Sequence, residues 1–143
     1  MPFNRRFAVT VIGIGFVLSL AAQSGETFKT RLSPLPADAR TRADLAGSGS
    51  ASAVLTGTRL AISGSFEGLR SAATSASLHS AVAAGVRGPA IGDLTISKDT
   101  SGTITGSIEL TPQQLTSLRK GGLYVQIYSE KAPDGVLWGW LLR

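Results

Sequence analysis

The fold is decided by residues 59–66, RLAISGSF, in which apolar residues alternate with small or polar ones. A period of two places the apolar members on one face of a β-strand. The same alternation returns at residues 94–96 and 104–110, and residues 99–102 between them have the composition of a hairpin turn. Short strands of this kind, separated by Gly- and Pro-containing turns, predict an antiparallel β-sandwich or barrel.

One short helix is predicted ahead of a C-terminal hairpin. Thr111 offers a capping hydroxyl, Pro112 suits the first helical turn, and Gly121-Gly122 end the segment. Two strands follow, over residues 124–129 and 136–142, and a Pro-Asp-Gly turn lies between them. The sequence therefore predicts an all-β domain with a single short helix.

The first 22 residues predict a secretory signal peptide. Arg5 and Arg6 precede an apolar run from residue 7 to residue 20, and small residues follow. That run is shorter than the ~20 residues of a stable membrane span, which makes an uncleaved anchor the less favoured alternative. Residues 23–143 then form one domain, and we expect a periplasmic or secreted location.

The composition excludes several classes of protein. The 143-residue chain has no Cys, one His and 16% charged residues. Absence of Cys excludes a disulfide scaffold, a Cys-ligated zinc and a thiol nucleophile. The low charge argues against a nucleic-acid binder. We expect no cofactor, no metal, no catalytic residues and no nucleic-acid partner, with membrane contact only through an uncleaved signal segment.

Four segments of the chain resemble the CHRD domain, a module named after its repeats in chordin and also found alone in exported bacterial proteins. The segments are residues 28–32, residues 77–80 with 85–89, residues 110–115, and residues 122–129 with 133–139. The last segment is the most specific. The resemblance implies a Greek-key antiparallel β-sandwich with the short helix before the C-terminal hairpin, and implies little about molecular activity.

The chain departs from the usual pattern of that family at its polar positions. Ser77 stands where the family has the first histidine of a His-x-His segment, so that only His79 remains. The closing hairpin carries further replacements: Gln126 for Asn, Tyr128 for His, Ser129 for Thr, Val136 for Glu, Trp138 for Arg and Trp140 for Gln. If the family binds a metal or ligand through those groups, this chain has lost most of them.

These replacements make the final hairpin the best candidate for a binding surface, because rings of Tyr and Trp dominate binding hot spots. Strand alternation predicts one outward, partner-binding face made of Tyr124, Gln126, Tyr128, Val136, Trp138 and Trp140. We expect an exported, non-catalytic accessory module that docks another exported protein or a second copy of itself. A small subunit of a periplasmic enzyme complex is one such module.

Several alternatives remain open. In the first alternative, the rings of the hairpin belong to the core or are covered by the Pro-containing arm at residues 25–45. The protein would then be a structural envelope or matrix protein without a dedicated ligand. In the second alternative, His79 forms a metal-dependent or hydrolytic site with Gln126, Tyr128 and a carboxylate. A hydrogen-bonded structural role for His79 is favoured over this site. In the third alternative, the two Trp rings stack on a carbohydrate ligand. The exposure of Trp138 and Trp140 distinguishes a docking surface from a core.

Overall fold

The alternating segments become eight strands with one helix between the sixth and the seventh. The computed structural model describes residues 25–143, so the predicted signal peptide at residues 1–22 lies outside the described residues. The elements are β1 (Glu26–Pro34), β2 (Ser48–Thr56), β3 (Arg59–Glu67), β4 (Ala73–Ser80), β5 (Ala90–Ile96), β6 (Gly102–Glu109), α1 (Pro112–Arg119), β7 (Leu123–Ser129) and β8 (Leu137–Trp140).

The strands close into an antiparallel barrel in the order β1-β2-β3-β6-β5-β4-β7-β8. β3 lies beside β6, and β7 lies beside β4, which is the Greek-key arrangement. The all-β prediction and the short helix are confirmed, but the sandwich is corrected to a barrel. The reason is that β1 pairs with both β2 and β8, while β5 pairs with both β4 and β6. β1 and β5 therefore join the two sheets of the expected sandwich along both of their edges.

The interior of the barrel is filled by the alternate apolar residues of each strand. Leu60, Ile62 and Phe66 of β3 are buried in the core, as their spacing predicts, and Val125 and Ile127 of β7 face them from the other side. This arrangement leaves the intervening residues of every strand on the outside of the barrel.

The helix α1 lies at the end of the barrel where β6 finishes and β7 begins. The Thr111 hydroxyl accepts from the Gln114 amide, and the Gln114 side chain accepts from the Thr111 amide, which completes a capping box. Leu118 is buried against the core from this end. Within residues 25–143, no helix is long and apolar enough to cross a membrane.

Candidate functional site

The outer surface of β4, β7 and β8 carries most of the aromatic side chains of the described chain. The residues that point outward here are Ser77, His79, Tyr124, Gln126, Tyr128, Trp138 and Trp140, and we call this set the aromatic face. Strand pairing places Tyr124 between His79 on β4 and Trp140 on β8. Ser77, Gln126 and Trp138 form the next row.

Tyr124 lies at the centre of a cluster of rings. Its ring is stacked on His79 at 4.8 Å and 17°. It also lies 4.8 Å from Trp140 and meets Trp138 edge-on at 5.9 Å. The two indoles contact each other at 4.6 Å. Because such aromatic pairs each contribute about 0.5–1.5 kcal/mol beyond burial, the cluster holds its rings in fixed positions.

His79 is buried, and both of its ring nitrogens have hydrogen-bond partners. Nδ1 lies 2.8 Å from the Gly88 carbonyl oxygen, which can only accept, so Nδ1 carries a proton and donates. Nε2 lies 2.7 Å from the Ser77 hydroxyl and 3.0 Å from the Tyr128 hydroxyl. In the neutral imidazole, Nε2 has one lone pair, which accepts from one of these hydroxyls or is shared between the two. The arrangement agrees with the hydrogen-bonded histidine favoured by the sequence.

The connection between β4 and β5, residues 81–89, covers part of the aromatic face. The Tyr124 hydroxyl accepts from the Gly88 amide at 3.0 Å and donates to the Gly88 carbonyl at 3.1 Å. A Cβ at Gly88 would lie 1.9 Å from the Ser80 carbonyl oxygen, so only glycine fits without a shift. The guanidinium of Arg87 lies 5.6 Å above the Trp138 ring.

No sequence pattern predicted a role for this connection. The contacts that matter are made by the main chain of Gly88, which has no side chain to signal them. The Gly-Val-Arg-Gly-Pro run at residues 85–89 was the available signal, because adjacent Gly and Pro mark a fixed turn.

The structure divides the six predicted partner-binding residues into three groups. Tyr124 and Gln126 lie on the outer face but are buried at 1% and 3% exposure, and the Gln126 amide donates to the Asp134 carbonyl at 3.1 Å. Tyr128, Trp138 and Trp140 are half-buried and form the solvent side of the face. The two indoles are therefore neither core residues nor freely exposed.

Val136 does not belong to the predicted face. It is fully buried in the core, next to Leu137, which is also fully buried. The Val136 amide donates to the Ile127 carbonyl at 2.7 Å, and Ile127 is also the register partner of Leu137. Two residues thus oppose one, as in a β-bulge, so that Val136 and Leu137 both face the core while Trp138 and Trp140 keep the predicted outward positions.

A family model for the CHRD domain matches residues 28–141, from β1 to the residue after β8. The chain belongs to the CHRD domain family. No curated protein and no solved structure matches it. CHRD domains occur in secreted proteins, and membership is typical of an extracellular binding or accessory module.

The three positions at which the usual CHRD pattern has histidine meet at one point in this domain. Ser77, His79 and Tyr128 occupy them, and both hydroxyls lie within hydrogen-bond distance of His79 Nε2. Asp93 of β5 is the register partner of Ser77. In the described part of the chain, no group of three His, Cys, Asp or Glu side chains could hold a metal ion.

Three carboxyl groups of this CHRD domain have a lowered pKa, and none of them belongs to the aromatic face. The pKa of Glu26 on β1 is lowered, first by a hydrogen bond from Arg119 and then by the charge of Arg143. The pKa of Glu109 is lowered chiefly by the Thr58 hydroxyl, and that of Asp38 by the backbone amides of Thr41 and Arg40.

Proposed function

We propose that this CHRD domain is an exported, non-catalytic binding module that docks a partner protein through the solvent side of the aromatic face. The observation that carries the proposal is the pair of half-buried indoles on the outer face of β8, with the Arg87 guanidinium over one of them. Trp, Tyr and Arg are the residues enriched at the centres of protein interfaces.

The buried part of the face supports this function by holding the exposed part rigid. Tyr124 contacts both indoles, and its hydroxyl is bound to the main chain of Gly88. Rings that are already fixed lose little conformational entropy when a partner covers them. We therefore assign direct contact to Tyr128, Trp138, Trp140 and Arg87, and a supporting role to Tyr124 and Gln126.

A carbohydrate ligand has less support from the same residues. Orientation of a sugar ring would need free polar groups beside the indoles. The Gln126 amide is bound to Asp134, and the Tyr128 hydroxyl is bound to His79.

The exported protein is isolated under mild conditions, and the complexes that the wild type forms are compared with those of its variants. The solution mass of the wild type is measured over a range of concentrations, which also detects a second copy as the partner. Trp138→Ala and Trp140→Ala should each weaken the complex by roughly thirtyfold, since a hot-spot ring contributes about 2 kcal/mol. Arg87→Gln provides a milder variant that leaves the rings in place.

The matched control is Ser52→Ala on the outer face of β2, which should leave the complex unchanged. Far-UV circular dichroism checks that each variant is folded. A wild type that stays monomeric without a partner, or variants that all retain the partner equally, would contradict the proposal.

A second candidate function, acyl-ester hydrolysis, is favoured by one specific contact. The Ser77 hydroxyl lies 2.7 Å from His79 Nε2, and the Gly88 carbonyl orients the other nitrogen at 2.8 Å. In such a site Ser77 would be the nucleophile, His79 the base, and the Gly88 carbonyl the group that orients the base. His79 would accept the hydroxyl proton while the Ser77 oxygen bonds to the acyl carbon. The ester C–O bond would then break and the departing alcohol would take the proton from His79, and water would hydrolyse the acyl-Ser77 ester to release the acid.

Two features place this candidate second. Ser77 is only 6% exposed, and Asp93, its register partner, would oppose a developing oxyanion. Hydrolysis of p-nitrophenyl acetate by the wild type is compared with that by Ser77→Ala, and with Ser75→Ala as the control. The hydrolytic function requires a rate above buffer that only Ser77→Ala abolishes.

A further inference from the structure

The large apolar side chains that the described chain leaves exposed all lie at one end of the barrel. They are Val54 at 39% exposure, Val82 at 91%, Val86 at 45% and Leu142 at 51%. Val54 is near the end of β2, Val82 and Val86 lie between β4 and β5, and Leu142 follows β8. The helix α1 covers this same end, which we call the α1 end.

The α1 end is also the positively charged end of the barrel. Arg87 is not counted, because its guanidinium lies over Trp138 of the aromatic face. The other strand ends and connections there, residues 25–26, 56–59, 80–86, 88–90, 109–123 and 141–143, carry four cations and two carboxylates. Those of the opposite end, residues 34–48, 67–73, 96–102 and 129–137, carry five cations and six carboxylates. A surface of mixed apolar and basic character is therefore confined to one end.

Ion pairs inside this end do not neutralise it. Arg59 contacts Glu109, while Arg119 and Arg143 share the single carboxylate of Glu26. Lys120 makes no salt bridge within residues 25–143 and is exposed. The excess charge remains available to an anionic surface.

The chain also enters the barrel at the α1 end. Gly25 precedes β1 and lies against Val54, so residues 1–24 connect to the fold here. If the apolar run at residues 7–20 were kept, it would tether this end to a bilayer. If it were removed, the new terminal ammonium would add a positive charge at the same place.

We propose that the α1 end docks on an anionic lipid bilayer, with Val82 and Val86 inserted at the boundary between head groups and acyl chains. Exposed apolar side chains beside unneutralised cations are the combination by which proteins bind such surfaces. The proposal extends membrane contact beyond the signal segment. It does not depend on the partner-docking function, because Val82, Val86 and Lys120 are not among the residues assigned to partner contact.

The test measures cosedimentation of residues 25–143 with vesicles. This part is used because the apolar run at residues 7–20 would bind lipid by itself, and because all strands and the core lie within it. Vesicles of phosphatidylcholine with 30% phosphatidylglycerol are compared with pure phosphatidylcholine. Binding should be at least tenfold tighter to the anionic vesicles and should weaken in 0.5 M salt, because salt screens the attraction.

Three variants identify the surface. Val82→Ser with Val86→Ser removes inserted area without changing charge, and should weaken binding by about tenfold or more. Lys120→Gln should weaken it by about fivefold, the effect of one cation near an anionic surface. Arg40→Gln, the matched control at the opposite end, should bind like the wild type. The substituted side chains are exposed, and circular dichroism confirms folding.

Equal binding to both kinds of vesicle, or none to either, would overturn the proposal. Binding that is lost to the same degree in Arg40→Gln and Lys120→Gln would also overturn it, because it would show attraction to overall charge alone. Since these measurements use no protein partner, their failure leaves the docking function of the aromatic face separately testable.

Discussion

The two sides of the barrel have similar inner surfaces and very different outer surfaces. On β1, β2, β3 and β6, the outward residues form rows of hydroxyls with a cation at one edge: Lys29, Ser52, Ser63 and Thr105 in one row, and Arg31, Ser50, Ser65 and Thr103 in the next. We call this the hydroxyl face. On β4, β7 and β8 the same outward positions carry the rings of the aromatic face.

The comparison shows that the barrel itself does not need outer side-chain packing. Strand pairing uses the main chain, and the inward residues of both sides fill one continuous core. Six residues in the two rows of the hydroxyl face are Ser or Thr, and nearly all eight are exposed to water. The aromatic face adds a second layer of buried contacts outside the barrel, which the hydroxyl face does not have.

The largest expected difference between the two faces is in stability. Tyr124→Ala removes a side chain that is 1% exposed and contacts three other rings, so it should lower the free energy of unfolding by about 3–5 kcal/mol. Ser63→Ala on the hydroxyl face should change it by less than about 0.5 kcal/mol. Urea denaturation measures both. Similar losses in the two variants would mean that the faces contribute equally.

A smaller contrast lies within the aromatic face. Tyr124→Phe leaves the Gly88 amide without its hydroxyl partner and should cost about 1–3 kcal/mol. Trp140→Phe removes a buried indole N–H that has no hydrogen-bond partner among the described residues. The packing lost with the indole is offset because the buried N–H without a partner is removed. The free energy of unfolding should therefore stay within about 1 kcal/mol of that of the wild type.

The same denaturation experiment decides this second contrast. If Trp140→Phe proved more destabilising than Tyr124→Phe, packing of the indole would outweigh the link between Tyr124 and residues 81–89. The hydrogen bonds between the Tyr124 hydroxyl and Gly88 would then contribute less to holding the rings in place than the packing of the indole does.

The elements of the fold were predictable because they depend on local patterns. The alternation at residues 59–66 gave β3, and the Thr111-Pro112 start with the two glycines gave α1. Closure into a barrel depends on the pairing of β1 with β8, which are far apart in sequence, and no local pattern records it. The bulge at Val136 likewise depends on the opposing Ile127.

The candidate site was predictable only in part, for the same reason. Alternation correctly placed Tyr124, Gln126 and Tyr128 on one side of β7. It did not show that residues 81–89 fold over Tyr124, because the contacts are made by the main chain of Gly88. Exposure of a strand's outer face is set by what crosses it, and a strand's own sequence does not contain that information.

The smallest predicted effect concerns β1, the strand that joins the two sides. The pKa of Glu26 is lowered below its ordinary value of 4.5 by Arg119, which follows the helix, and by Arg143 at the C-terminal end. A carboxyl group with a lowered folded-state pKa stabilises the fold above its unfolded pKa, and this contribution is lost as the pH falls through the folded pKa. Because 39% of the Glu26 side chain is exposed to solvent, its effect should be small and should decrease in high salt.

Glu26→Gln should therefore lower the urea midpoint slightly at pH 7 and leave it close to that of the wild type at pH 2.5. Glu67→Gln, at an exposed carboxylate of β3 without a salt bridge in the described chain, is the control and should follow the wild type at both values. Asp38 and Glu109 titrate in all three proteins, so the difference between Glu26→Gln and the wild type isolates the contacts with Arg119 and Arg143. A difference that persists unchanged at pH 2.5 would assign the effect to packing of the Glu26 side chain, since its charge is then absent from the wild type as well.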